Sequence, residues 1–141
     1  MRKKNQPSIK APAAKIFGAY DIRGRYPRDI NLSAVAVIAR ALSRDWRGQT
    51  VVLGRDIRHG SVEISSGIKS ELESGGVMVI DGGLMTTPML YFLVCETKAS
   101  GGIMVTASHN PKNWNGLKMV GSGAIPIRGE EVYQKVKKLE S

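Results

Sequence analysis

Ser108 ends the segment Gly101-Gly102-Ile103-Met104-Val105-Thr106-Ala107-Ser108 and is followed by His109-Asn110-Pro111, so an apolar run gives way there to polar and turn-forming residues. A serine held at a strand end before His-Asn-Pro presents a hydroxyl on a tight turn, with polar neighbours able to organise an anion. Taken alone, the same residues read more readily as an ordinary turn. A serine-hydrolase triad fits poorly: adjacent Ser108 and His109 side chains diverge in an extended segment, and no Gly-x-Ser-x-Gly elbow surrounds the serine. The single cysteine, Cys95, follows the apolar run 89–94. It is expected to be a small buried hydrophobe, and alone it can form no intramolecular disulfide.

The elements that must position Ser108 follow from periodicity and turn residues. Residues 16–20 read as a first strand running into a loop at Arg23-Gly24-Arg25-Tyr26-Pro27. A helix follows, capped by Ser33, with Val35, Ile38, Ala39, Leu42 and Trp46 on one face and Gly48 as its stop. Residues 50–53 are a buried strand that meets Gly54-Arg55-Asp56 at its carboxyl end. A second helix spans about 61–74 with Ile64, Ile68 and Leu72 on one face. A strand at 77–80 then turns at Asp81-Gly82-Gly83, a third helix covers 88–97, and a strand at 101–106 delivers the serine turn. Residues 129–141 read as a final helix with a stripe of Val132, Val136 and Leu139. This alternation implies an α/β fold: a three-layer α/β/α domain with a mainly parallel, mixed sheet of about four strands. Sites in such sheets lie outside the carboxyl ends of the strands, where three polar clusters fall: 20–25, 54–58 and 106–118.

Thr106-Ala107-Ser108-His109-Asn110-Pro111 resembles the active-site signature of the phosphohexomutases, the phosphomannomutase/phosphoglucomutase family. Three more pieces match in order: Tyr20-Asp21-Ile22-Arg23-Gly24, Gly54-Arg55-Asp56 and Asn115-Gly116-Leu117-Lys118. Trp114 stands where a tyrosine is the more usual neighbour of the last motif. The resemblance implies a serine phosphorylated in the resting enzyme that passes its phosphoryl group to a hexose monophosphate and recovers the other phosphate from the resulting bisphosphate, interconverting hexose 1-phosphate and hexose 6-phosphate. Ser108 would be the phosphoryl carrier and, through its phosphate, a metal ligand. Such a group carries about −1.5 to −2 charges at neutral pH, which calls for cations, and Mg²⁺ is the usual partner. Lys118 would stabilise the transferring group or help move a proton. His109 resembles the residue beside the phosphoserine, with a role in positioning or proton transfer. Tyr20, Arg23 and Asn110 fall on the substrate side, where Arg23 can offer a fork of donors to phosphate. Arg55 and Asp56 read better as an ion pair tying their loop to the domain than as substrate contacts.

The resemblance covers residues 16–131 and only the first of the family's four domains. The Asp-Gly-Asp-x-Asp-Arg metal loop, the Gly-Glu-x-Ser-Gly-His sugar loop and the final phosphate-binding loop have no counterpart in these 141 residues. The remaining Mg²⁺ ligands are therefore expected from an absent domain, and the chain alone is expected to be inactive. Its composition agrees with a single domain at 15–141: 42% of residues are hydrophobic and 23% charged. Five of the nine net positive charges come from Arg2, Lys3, Lys4, Lys10 and Lys15, and residues 1–14 read as a flexible basic arm. The modest positive excess over the rest suits hexose phosphates, while the interleaved aromatics of a nucleic-acid groove are absent. No apolar run reaches the roughly 18 residues of a membrane span, so a cytoplasmic protein with neither nucleic-acid nor membrane partners is expected. Self-association of a domain parted from its neighbours is expected too. Two other classes remain: a non-catalytic remnant that binds anions or mutase subunits, and an unrelated module docking on nucleic acid.

Overall fold

The computed structural model describes residues 11–140, so residues 1–10 of the expected arm lie outside the described residues. A 3-10 turn (Ala14–Ile16) leads to β1 (Ile22–Arg25), α1 (Leu32–Trp46), β2 (Thr50–Arg55), α2 (Ser61–Ser74), β3 (Met78–Leu84), α3 (Thr87–Glu96), β4 (Gly101–Val105), β5 (Trp114–Gly121), a second 3-10 turn (Ser122–Ala124) and α4 (Gly129–Glu140). The strands form one mixed sheet in the order β1-β5-β4-β2-β3. β2 runs parallel to β3 and β4, whereas β5 is antiparallel to both β4 and β1.

The layers follow from alternation along the strands. Val51, Leu53, Ile103, Val105, Leu117 and Met119 turn to one face and pack with Ile38, Leu42, Ile64, Ile68, Val132 and Val136, so α1, α2 and α4 cover that side. Val52, Met104 and Val120 turn to the other face and meet Leu90 and Val94 of α3. The five helix positions expected on one face of α1, including Trp46, are all buried, because a 3.6-residue period leaves a single stripe to face the sheet.

Several expectations shift. The first strand lies at Ile22–Arg25, not at 16–20; Gly18 turns the chain by donating to the Asp21 carbonyl at 2.8 Å, and Arg23 to Arg25 join the sheet instead of a loop. Asn31 caps α1 in place of Ser33, its side-chain oxygen accepting from the Ala34 N–H at 2.9 Å. β3 continues through Asp81-Gly82-Gly83, where a register shift against Leu53 and Gly54 of β2 absorbs the glycines. β5 occupies the second half of the segment read as a polar cluster, which brings the strand count to five. Cys95 is exposed; α3 buries only Leu90 and Val94, one turn apart, and the residue after Val94 is rotated about 100° off that stripe.

Candidate functional site

β4 is buried along its whole length and carries the chain into the serine turn at its carboxyl end. Thr106 still belongs to the sheet, its N–H donating to the Gly116 carbonyl at 2.9 Å. Its hydroxyl oxygen then accepts from the Ser108 N–H at 3.0 Å. The Ala107 carbonyl takes both the backbone N–H of Asn110 at 3.1 Å and its side-chain amide at 2.8 Å. These bonds hold Ser108 at φ 54°, a left-handed conformation that costs a non-glycine residue about 1 kcal/mol or more and persists where the surroundings impose it. The Ser108 hydroxyl makes no hydrogen bond among the described residues, and its residue is half-buried.

The surroundings are organised by Arg58, which sequence reasoning placed in a polar cluster without a role. Its guanidinium donates to the carbonyls of Ser108, of Asn110 at 2.8 Å, of Pro111 at 2.8 Å and of Trp114 at 3.4 Å. Its Nε faces the Asp56 carboxylate at 3.4 Å. Asp56 also accepts from the Arg58 N–H at 3.0 Å and the Ser61 hydroxyl at 2.6 Å. The ion pair of this loop is therefore Asp56 with Arg58, not with Arg55, which reaches only the Asp56 backbone carbonyl at 3.3 Å. Asn115 is fully buried and closes the arrangement. Its amide donates to the His59 carbonyl and the Ser61 hydroxyl, both at 3.0 Å, and its oxygen accepts from the Gly116 N–H at 2.8 Å.

The sheet brings two expected cations to the same side. Lys118 pairs directly with Met104, so it faces the side that carries α3. Arg23 pairs with Gly116, two positions before Lys118 on β5, so it shares that side as a diagonal neighbour. α3 packs over β2 and β4, beside these positions, leaving Arg23 exposed and Lys118 half-buried. The Lys118 ammonium makes no ion pair or hydrogen bond among the described residues. His109 is exposed. Tyr20 stands apart from the strands, 65% exposed in the turn before β1.

Beyond Arg23 the edge opens into a groove of about 510 Å³ lined by Lys15, Arg25, Arg28, Asp29 and Trp114. Asp29 is the one carboxylate there. The Arg25 backbone N–H donates to it at 3.0 Å and the Lys15 ammonium lies 3.2 Å away. The backbone hydrogen bond first, and then Lys15, hold its carboxyl below the usual carboxylate range. The groove as a whole remains strongly cationic. No group of three or more His, Cys, Asp or Glu converges among the described residues, and Asp56 is already committed to Arg58 and Ser61. The side chains described do not by themselves make a Mg²⁺ site.

The sequence model described as phosphoglucomutase/phosphomannomutase, alpha/beta/alpha domain I, matches residues 14–141. The chain is 41% identical over 123 residues to a phosphomannomutase of Salmonella typhimurium strain LT2, covering 87% of this chain and 27% of that protein. It is 43% identical over 114 residues to a protein of Xanthomonas campestris pv. campestris named phosphohexose mutases, covering 81% of this chain and 25% of that one. It therefore spans about a quarter of the length of these relatives. Among solved structures, a phosphoglucomutase/phosphomannomutase family protein from Burkholderia thailandensis superposes with a TM-score of 0.79 at 34% identity, over 89% of this chain and 30% of that one. The serine turn, the sheet that carries it and the match from residue 14 to the end agree: the chain belongs to the phosphoglucomutase/phosphomannomutase family, residues 14–141 forming its α/β/α domain I.

Proposed function

We propose that this domain supplies the phosphoserine of a phosphohexomutase that interconverts hexose 1-phosphate and hexose 6-phosphate. The observation that carries the reading is the free Ser108 hydroxyl on a left-handed turn at the carboxyl end of β4, with Lys118 and Arg23 on one side of the neighbouring strands. In the transfer, the bond between phosphorus and Ser108 Oγ breaks as a bond to a sugar hydroxyl oxygen forms; the sugar hydroxyl proton leaves to a base and Ser108 Oγ takes up a proton, regenerating the serine hydroxyl. The second half runs in reverse from the other phosphate of the bisphosphate. Charge stabilisation and alignment dominate such a step; Lys118 and Arg23 supply positive charge, and exposed His109 beside the serine is the candidate proton carrier. Tyr20 and Asn110 remain on the substrate side of this reading. Mg²⁺ belongs to the complete site, with the Ser108 phosphate as this chain's contribution. The 141 residues alone do not sustain turnover.

The test replaces the matched portion of the Salmonella typhimurium phosphomannomutase with this chain and follows mutase turnover together with the intact mass. The expected result is turnover and a gain of one phosphate mapped to Ser108, both abolished by Ser108→Ala, with no turnover from the chain alone. A folded chimera that stays active as Ser108→Ala would overturn the reading.

A further inference from the structure

We propose that Arg58 is the positioning residue of the phosphate-bearing turn: by drawing four carbonyls onto one guanidinium it aims the N–H groups of His109 and Lys112 outward, as donors to a phosphate on Ser108. The inference rests on the reading of Ser108 as phosphoryl carrier and adds the device that prepares its surroundings.

A guanidinium has five N–H donors in a planar fork. Here the two terminal nitrogens bond the carbonyls of Ser108, Asn110, Pro111 and Trp114, and Nε lies in an ion pair with the Asp56 carboxylate. Both terminal nitrogens are committed to the loop's carbonyls and Nε faces Asp56, so Arg58 acts through the loop and not on substrate. Its side chain is 16% exposed, deep enough for these bonds to be weakly screened.

A trans peptide points its N–H opposite to its C=O. Wherever Arg58 captures a carbonyl, the N–H of the next residue is therefore turned away from the guanidinium. For the Ser108 and Pro111 carbonyls those groups are the His109 and Lys112 N–H, and neither has an acceptor among the described residues. The Asn110 carbonyl precedes Pro111, which has no N–H, so its capture strands no donor. The peptide dipoles thus place their negative ends on a fixed cation and their positive ends on the side away from it. Left-handed Ser108, φ 54°, turns the chain between the Ser108 N–H, which Thr106 holds, and the His109 N–H, which no group among the described residues holds.

The test uses the whole chain with phosphoserine installed at position 108 during translation, so it is independent of whether a sugar bisphosphate delivers the group. The second ionisation is followed by ³¹P NMR, and the His109 and Lys112 amides by ¹H–¹⁵N spectra. In the unsubstituted chain both amide protons are expected to move downfield as the dianion forms, with a midpoint below the roughly 6 of free phosphoserine. Arg58→Lys keeps the charge but has only three donors; its midpoint should rise to the free value and the amide response should be lost, with the fold retained by circular dichroism. An unsubstituted chain whose two amides ignore the ionisation would sink the proposal whatever the variant does. So would a folded Arg58→Lys with unchanged titration. Loss of this response leaves the chimera experiment unaffected, and failure of the chimera leaves this response measurable.

Discussion

Lys118 is the residue on which the transfer reading makes its sharpest demand. It stands on the same sheet face as Arg23, with no counter-ion among the described residues, on the strand beside the one that carries the serine turn. A cation aimed where charge develops during transfer stabilises the transition state. Lys118→Ala in the chimera is expected to lower kcat by about 10²-fold or more, with thermal stability little changed, as steady-state kinetics beside a melting curve will show. Asp29 makes a different demand. Its carboxyl lies below the ordinary range through the Arg25 N–H and then Lys15, so the folded chain binds that proton more weakly than the unfolded chain does. The stabilisation is present above the ordinary carboxylate range and is lost as pH falls through the depressed one. Asp29→Asn should accordingly be less stable than the unsubstituted chain near neutrality, and the difference should shrink towards zero in acid, as denaturation at two pH values will show.

At the scale of elements, the site depends on β1 and β5 lying flat against each other. A Cβ added to Gly116 would come 2.0 Å from the Ile22 carbonyl oxygen and 2.9 Å from the Arg23 Cα, both backbone atoms that can move only if the strands part. Gly116→Ala is expected to cost about 3 kcal/mol or more and to release Arg23 from its place beside Lys118; urea unfolding measures the first. Helix α2 enters the site in a related way. Gly60 precedes it at φ 87° with its Cα against the Tyr26 ring, where a Cβ would meet Cζ at 2.5 Å, so the loop from Asp56 to Ser61 is held by Tyr26 on Gly60 and by Asn115 on His59 and Ser61. The helices and parallel strands were legible because each is written in a short window: one apolar stripe every 3.6 residues, or a continuous apolar run. β5 was not. Trp114-Asn115-Gly116-Leu117-Lys118 mixes polar residues with glycine, and what makes it a strand is the ladder offered by β4 and β1, which no window of the sequence displays.

For the whole molecule, the outer edge of β3 and the adjacent helix leave apolar side chains in solvent: Met78, Ile80 and Leu84 on the strand, Met89 and Phe92 on α3. Among the described residues β3 is bonded only to β2, and an unpaired apolar edge is a template for association. The chain on its own is expected to self-associate with rising concentration, and Ile80→Lys combined with Phe92→Lys to shift it towards monomer in sedimentation velocity. An unchanged distribution would place the contact elsewhere. No helix among the described residues is long and apolar enough to cross a membrane.

The sequence by itself determined the layered α/β order, the serine turn at a strand end, and the family through four ordered motifs, because these are local patterns of periodicity, turn chemistry and residue identity. Only the tertiary structure decided that Arg23 and Lys118 share a face, and that one guanidinium gathers the serine loop. Those relations join residues some fifty or more positions apart for the Arg58 contacts and across antiparallel strands for the cations. They depend on which carbonyls remain unsatisfied once the sheet has formed, and a chain written in one dimension does not record that.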